Sequence, residues 1–123
     1  MIIILTVEDE ALISEFLRTI LEDAGHHVVT SSTADEALAI LESRDDVQLL
    51  ITDVTMPGSM DGLMLAKIVR GKWPSVKIFI TSGKPRPADD QMPAQSYFLS
   101  KPYQSRQIID VVRRLQEPFG EVR

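Results

Sequence analysis

At 123 residues, with 44% hydrophobic and 25% charged, the chain can bury one core but is too short for two ordinary domains; its mean hydropathy of +0.01 suits neither a membrane protein nor a disordered one. Thirteen Lys and Arg against eighteen Asp and Glu leave a formal charge of −5, which argues against nonspecific nucleic-acid binding, because phosphate backbones are bound by neutralising them. The absence of cysteine removes disulfides, thiolate nucleophiles and cysteine zinc sites and fits a reducing compartment, with the cytoplasm as the expected location.

Residues 1–7 carry β-branched side chains at Ile2, Ile3, Ile4, Thr6 and Val7 and are apolar on both faces, as a central parallel strand must be. No basic residue precedes this run and Glu8, Asp9 and Glu10 follow it, so it is neither a signal peptide nor a membrane span. From Ala11 the spacing is helical, with Leu12, Phe16, Ile20 and Ala24 in one row and Ile13, Leu17 and Leu21 beside it. Gly25 supplies a left-handed stop, and His26 and His27 read as exposed turn residues. Residues 27–30 form a second strand, and Thr33 with Glu36 makes a capping box for a helix that buries Ala34, Ala37, Leu38 and Leu41. The third strand, 47–52, delivers Asp53 into a loop kept irregular by Met56, Pro57, Gly58 and Gly62.

The next helix buries Leu63, Leu65, Ala66 and Val69 and stops before Trp73 and Pro74. A fourth strand spans 76–81. The segment 82–96 contains Pro85, Pro87 and Pro93 without apolar periodicity, which predicts a loop or at most one turn where a helix is due. A short fifth strand, 97–100, leads through Lys101 and Pro102 to a last helix with Ile108, Ile109, Val112 and Leu115 on its buried side. Five strands alternating with four or five helices predict a doubly wound parallel sheet with right-handed crossovers and helices on both faces.

Open sheets of this kind bind ligands at the carboxyl ends of their strands. If the strand order is 2-1-3-4-5, the first and third strands are neighbours at the switch point, and Glu8, Asp9 and Asp53 would converge there. Two carboxylates about 4 Å apart at an effective dielectric of about 20 repel by about 4 kcal/mol, so the cluster calls for a positive occupant. Oxygen-only ligands, with neither histidine near these strand ends, suit magnesium better than zinc. Lys101 adds a positive charge from the fifth strand, and Thr81 and Ser82 bring a hydroxyl beside Asp53 that can donate to a phosphoryl oxygen. A carboxylate beside a magnesium ion, a lysine and a hydroxyl is equipped to take a phosphoryl group and hold it as an aspartyl phosphate. Taken singly, the acids after the first strand are ordinary helix N-terminal residues and Asp53 an ordinary turn residue. Their convergence with Lys101 favours the chemical reading.

VEDE at 7–10, DVTMPGSMDG at 53–62, TSG at 81–83 and KPY at 101–103 resemble the bacterial two-component response-regulator receiver domain, in order and across the whole chain. The resemblance implies a flavodoxin-like sheet of order 2-1-3-4-5, with Asp53 as phosphoacceptor and Asp9 as the main metal-binding carboxylate. It makes Glu8 the acidic neighbour, brings Lys101 to the phosphoryl group, and gives Mg2+ the backbone carbonyl of Thr55 as a further ligand. The implied partners are a sensor histidine kinase or phosphotransfer protein and a downstream protein target, without nucleic acid or membrane.

Glu8 stands where the family usually has Asp. The switch hydroxyl falls on Thr81 or Ser82; Ser82 is favoured because Gly83 matches the small residue that usually follows. The aromatic switch position falls on Phe98, which lacks the tyrosine hydroxyl and would act through packing. The proline-rich 82–96 segment resembles the receivers whose fourth helix is shortened or missing.

The expected protein is a stand-alone receiver over residues 1–123, with no output domain and no enzymatic role beyond its own phosphorylation and dephosphorylation. Competing readings are a degenerate receiver used as a constitutive docking module and an aspartyl-phosphate phosphatase or phosphotransferase, which would commonly have Asp where Thr55 stands. A flavin carrier is a third, but Glu8, Asp9 and Glu10 would repel its phosphate.

Overall fold

The computed structural model describes residues 1–56, 58 and 60–116; Pro57 of the loop after the third strand lies outside the described residues. Five strands, β1 (Ile3–Val7), β2 (His27–Ser31), β3 (Leu49–Asp53), β4 (Lys77–Ser82) and β5 (Ser96–Ser100), form one parallel sheet in the order β2-β1-β3-β4-β5. Among the described residues, α1 (Ala11–Asp23), α2 (Ala34–Ser43) and α3 (Gly62–Lys72) connect successive strands and α4 (Ser105–Gln116) follows β5.

Because β1, β3 and β4 are covered on both sides, neighbouring residues of one strand serve different cores. Leu5, Val7, Leu50, Ile78 and Ile80 pack with Ala37 and Leu41 of α2 and Leu65 and Val69 of α3. Ile4, Leu49, Ile51 and Phe79 pack with Leu17 and Leu21 of α1 and Ile108 and Val112 of α4. Burying an aliphatic side chain fully stabilises by about 1.5–3 kcal/mol, so these two layers supply the main drive to close the sheet.

The two apolar rows of α1 are not equally buried. Leu12 is 87% exposed and Phe16 41%, while Ile13, Leu17, Ile20 and Leu21 face the sheet. Apolar residues cover so much of the helix that spacing alone does not say which row turns inward. His26 also departs from an exposed turn: its ring is half-buried and Nδ1 accepts from the Ile2 N–H at 3.2 Å. At the start of α2, Thr33 Oγ1 accepts from Glu36 N–H and the Glu36 carboxylate reaches back to accept chiefly from Ser32 N–H.

Gly25 ends α1 at φ +97°, a conformation that favours glycine. Between β4 and β5 the described residues hold a single 3-10 turn, Asp89–Gln91, and no α-helix, as the prolines require. Met92 and Phe98 help cover the α2/α3 side of the core there.

Candidate functional site

Strand register decides which side chains meet at the carboxyl edge. Asp53 pairs with Thr81, and paired residues of parallel strands point to the same face, here that of Ile51 and Phe79 against α1 and α4. Thr6 pairs with Ile51 and Thr81 with Leu99, so Glu8 and Lys101, each two residues further on, extend the same face. Ser82 alternates to the opposite face with Ile80, and its Oγ accepts from the Lys84 N–H at 3.0 Å. By register Thr81 shares the face of Asp53, while Ser82, favoured by the Gly83 match, lies on the other.

The backbone holds Asp53 from below. Val54 N–H donates to Thr81 O at 2.9 Å and Gly62 N–H to Val54 O at 2.8 Å, so the start of α3 lies directly against the Asp53 peptide. A Cβ on residue 62 would stand 1.9 Å from the Asp53 carbonyl oxygen, which leaves glycine as the residue that fits. Asp61 caps this helix, accepting from the Met64 N–H at 2.9 Å.

Lys101 Nζ lies 3.1 Å from Glu8 Oε1 and 3.2 Å from Asp53 Oδ2. Glu8 is only 2% exposed and Asp53 6%, and the second Glu8 oxygen accepts from the Glu10 N–H at 3.1 Å. One ammonium thus serves two buried carboxylates. Burial raises the pKa of both, with Lys101 and backbone donors opposing it; the Glu8 pKa is pushed further by Asp53 and the Asp53 pKa by Asp9. Burial alone would lower the Lys101 pKa, but its bonds to Glu8 and Asp53 and their charges raise it.

Asp53 Oδ1 is buried without a partner among the described residues, and ligand atoms of Glu8, Asp9 and Asp53 lie within 4.8 Å of one another. A spare acceptor, an all-oxygen donor set and an excess of negative charge fit a hard divalent cation such as Mg2+. Asp9 is exposed at the mouth and leaves it open to solvent. Thr55 is exposed in the loop after β3, and Phe98 sits in β5 opposite Ile80, on the face away from Asp53.

Sequence reasoning passed over Tyr103. Its hydroxyl is buried without a partner among the described residues, and its ring stacks on Phe16 with centroids 6.3 Å apart. Burial first, then the charges of Glu8, Asp53 and Glu10, push the phenol pKa up, so it stays protonated. The one signal available was an aromatic residue two places after Lys101.

No described helix is long and apolar enough to cross a membrane. The response regulator receiver domain family matches residues 4–113. The response regulator protein FleR of Pseudomonas aeruginosa is 32% identical over 114 residues, which cover 90% of this chain and 24% of FleR. This chain therefore spans about a quarter of that relative's length. Among solved structures, the response regulator TrrA of Thermotoga maritima in complex with Mg2+-BeF superposes with a TM-score of 0.85 at 29% identity, covering 94% of this chain and 99% of TrrA. TrrA solved in complex with the histidine kinase ThkA gives the same TM-score, covering 95% and 100%. Matched over most of its length in sequence and over nearly all of it in fold, the chain belongs to the response regulator receiver domain family.

Proposed function

We propose that the chain accepts a phosphoryl group on Asp53 from a phosphohistidine of a sensor kinase or phosphotransfer protein in the cytoplasm, and signals to a downstream protein through the resulting change of surface. The observation that carries this is Asp53 at the end of β3, joined by Lys101 to Glu8, with Asp9 and an unpartnered Oδ1 beside it. The complex of TrrA with a histidine kinase supports the choice of partner.

In the transfer, an Asp53 carboxylate oxygen attacks phosphorus. The new P–O bond forms as the P–N bond breaks, and its electron pair leaves on the imidazole nitrogen. Glu8, Asp9, Asp53 and the Thr55 carbonyl would hold Mg2+, which supplies charge neutralisation for the transferring group when bound. Lys101 turns from Asp53 to the phosphoryl oxygens and Thr81 donates its hydroxyl to one of them. Water attack on phosphorus later restores the carboxylate and releases inorganic phosphate. The switch biases the β4–β5 region by drawing Thr81 and Lys101 inward, with Phe98 responding through packing.

The test is intact mass after incubation with acetyl phosphate, with and without Mg2+, on wild type and Asp53→Asn. A gain of one phosphoryl group that needs both Mg2+ and Asp53 supports the assignment. Labelling of the Asn variant moves the acceptor elsewhere. No labelling of the wild type, by acetyl phosphate or by a phosphorylated kinase, favours the constitutive docking module.

A further inference from the structure

Tyr103 carries a hydroxyl that the unphosphorylated fold does not use. The ring is fixed by its stacking on Phe16 and its place in the α1/α4 core, contacts a phenylalanine would make equally well. The hydroxyl adds only a buried donor without a partner among the described residues, which is destabilising on its own. Such a hydroxyl is available to an acceptor that another state of the site presents.

Among the charges acting on the hydroxyl, that of Glu8 is foremost. The Glu8 carboxylate also depends on a shared cation. It is almost fully buried, and Lys101, the cation in contact with it, is shared with Asp53. Once Asp53 bears a phosphoryl group, the negative charge there grows and moves onto three further oxygens, and a single ammonium cannot remain centred on Glu8.

We propose that Tyr103 is a positioning residue whose hydroxyl donates to Glu8 in the phosphorylated state, replacing the hydrogen bond that Lys101 withdraws. Glu8 and Lys101 extend the sheet face whose core includes Tyr103, which places the donor and its proposed acceptor on one side of the carboxyl edge. The inference rests on the phosphoacceptor reading of Asp53.

The experiment is a titration with Mg2+-beryllofluoride, followed by calorimetry, on wild type, Tyr103→Phe, Glu8→Gln and the double variant, with thermal unfolding of each unliganded protein alongside. Tyr103→Phe is expected to weaken binding on the order of tenfold, the scale of a hydrogen bond to a charged group, while the unliganded protein melts no lower than wild type. In the Glu8→Gln background the same replacement is expected to change affinity less than about twofold. Wild-type affinity in Tyr103→Phe overturns the proposal, and so does an equal loss in both backgrounds, which would give the hydroxyl another acceptor. A lower melting point together with the loss would make the residue merely structural. Failure of wild type to bind beryllofluoride or to take a phosphoryl group from acetyl phosphate would instead strike the phosphoacceptor reading itself, and this inference with it.

Discussion

Lys101 and Arg70 are both partly buried cations, and their surroundings set them to opposite tasks. Lys101 sits at the carboxyl edge between two carboxylates, within 3.2 Å of each, in a site with more negative charge than it can neutralise. Arg70, near the end of α3, meets neutral acceptors: Nε donates to Ala94 O at 3.0 Å, Nη1 to Pro74 O at 3.0 Å and Val76 O at 3.1 Å, and Nη2 to Gln95 O at 3.3 Å. Its pKa is lowered by burial, the sign of a cation held by dipoles without a counter-charge. A rigid fork suits the fixed task and a flexible point charge the movable one. Where a helix would otherwise anchor the entry to β5, Arg70 does so, and Gln95 at φ +60° is part of what it holds. The lysine is therefore placed to exchange partners, as the proposed transfer requires of it, and the arginine is a strut.

The largest expected effect breaks the strut. Arg70→Ala removes four hydrogen bonds worth about 1 kcal/mol each at most, so unfolding free energy in urea should fall by roughly 2–4 kcal/mol. The loss should be flat with pH, because carbonyl oxygens do not titrate. Arg70→Lys should recover less than half of it, and full recovery would mean that charge, not the fork, is what matters.

Lys101→Met tests the other cation and should differ in its pH dependence. Removing the ammonium leaves Glu8 and Asp53 buried and uncompensated, a cost of about 2 kcal/mol at neutral pH. Both pKa values already lie above the ordinary 4.5 and 3.8 and would rise further. A raised carboxylate pKa means stability is gained as pH falls through it and is fully present below the ordinary value. The deficit of Lys101→Met should thus shrink between neutral pH and about pH 4, measured by unfolding at several pH values, whereas that of Arg70→Ala should not. Parallel pH profiles would erase the distinction.

A third comparison separates the two hydroxyls of β4. Thr81→Ala should slow phosphorylation by acetyl phosphate or its reversal on the order of tenfold, the value of one hydrogen bond to a charged oxygen. Ser82→Ala should change the same rates less than about twofold, since its Oγ is turned to the other face and serves Lys84. The reverse order would restore Ser82 as the switch hydroxyl.

These contrasts also show how far the sequence reaches. Strand and helix order, the stop at Gly25 and the prolines that replace a helix are local signals, read from a few neighbouring residues. Asp53, Glu8 and Lys101 were legible because each stands at the end of an apolar run. Thr81 and Ser82 were not separable, because which one faces Asp53 depends on register with another strand, and a shift by one residue reverses the answer. Likewise Arg70 finds Ala94 and Gln95, 24 and 25 residues away, through contacts that no periodicity records. Leu12 and Phe16 were assigned to a row whose facing only packing decides.

The smallest effect is the most diagnostic of a site held ready for a cation. Asp53→Asn keeps the shape of the side chain and removes one of two buried charges that share Lys101, leaving Glu8 and Lys101 as a matched pair. Ordinarily, losing a carboxylate bonded to lysine lowers stability. Here burial, which raises the Asp53 pKa, outweighs the lysine, so the charged form is worse off in the folded state than in the unfolded one. Asp53→Asn should therefore stabilise the unliganded protein by about 1 kcal/mol at neutral pH, seen as a melting midpoint several degrees higher. The sign also fixes the pH window. As pH falls through the raised pKa toward the ordinary 3.8, the wild-type Asp53 is neutralised and the advantage of the variant should fade. Mg2+ should narrow the gap at neutral pH by stabilising the wild type and not the variant. A variant less stable than wild type without Mg2+ would show that the Lys101 bond dominates, and the edge would then be a closed ion pair with no standing need for a metal.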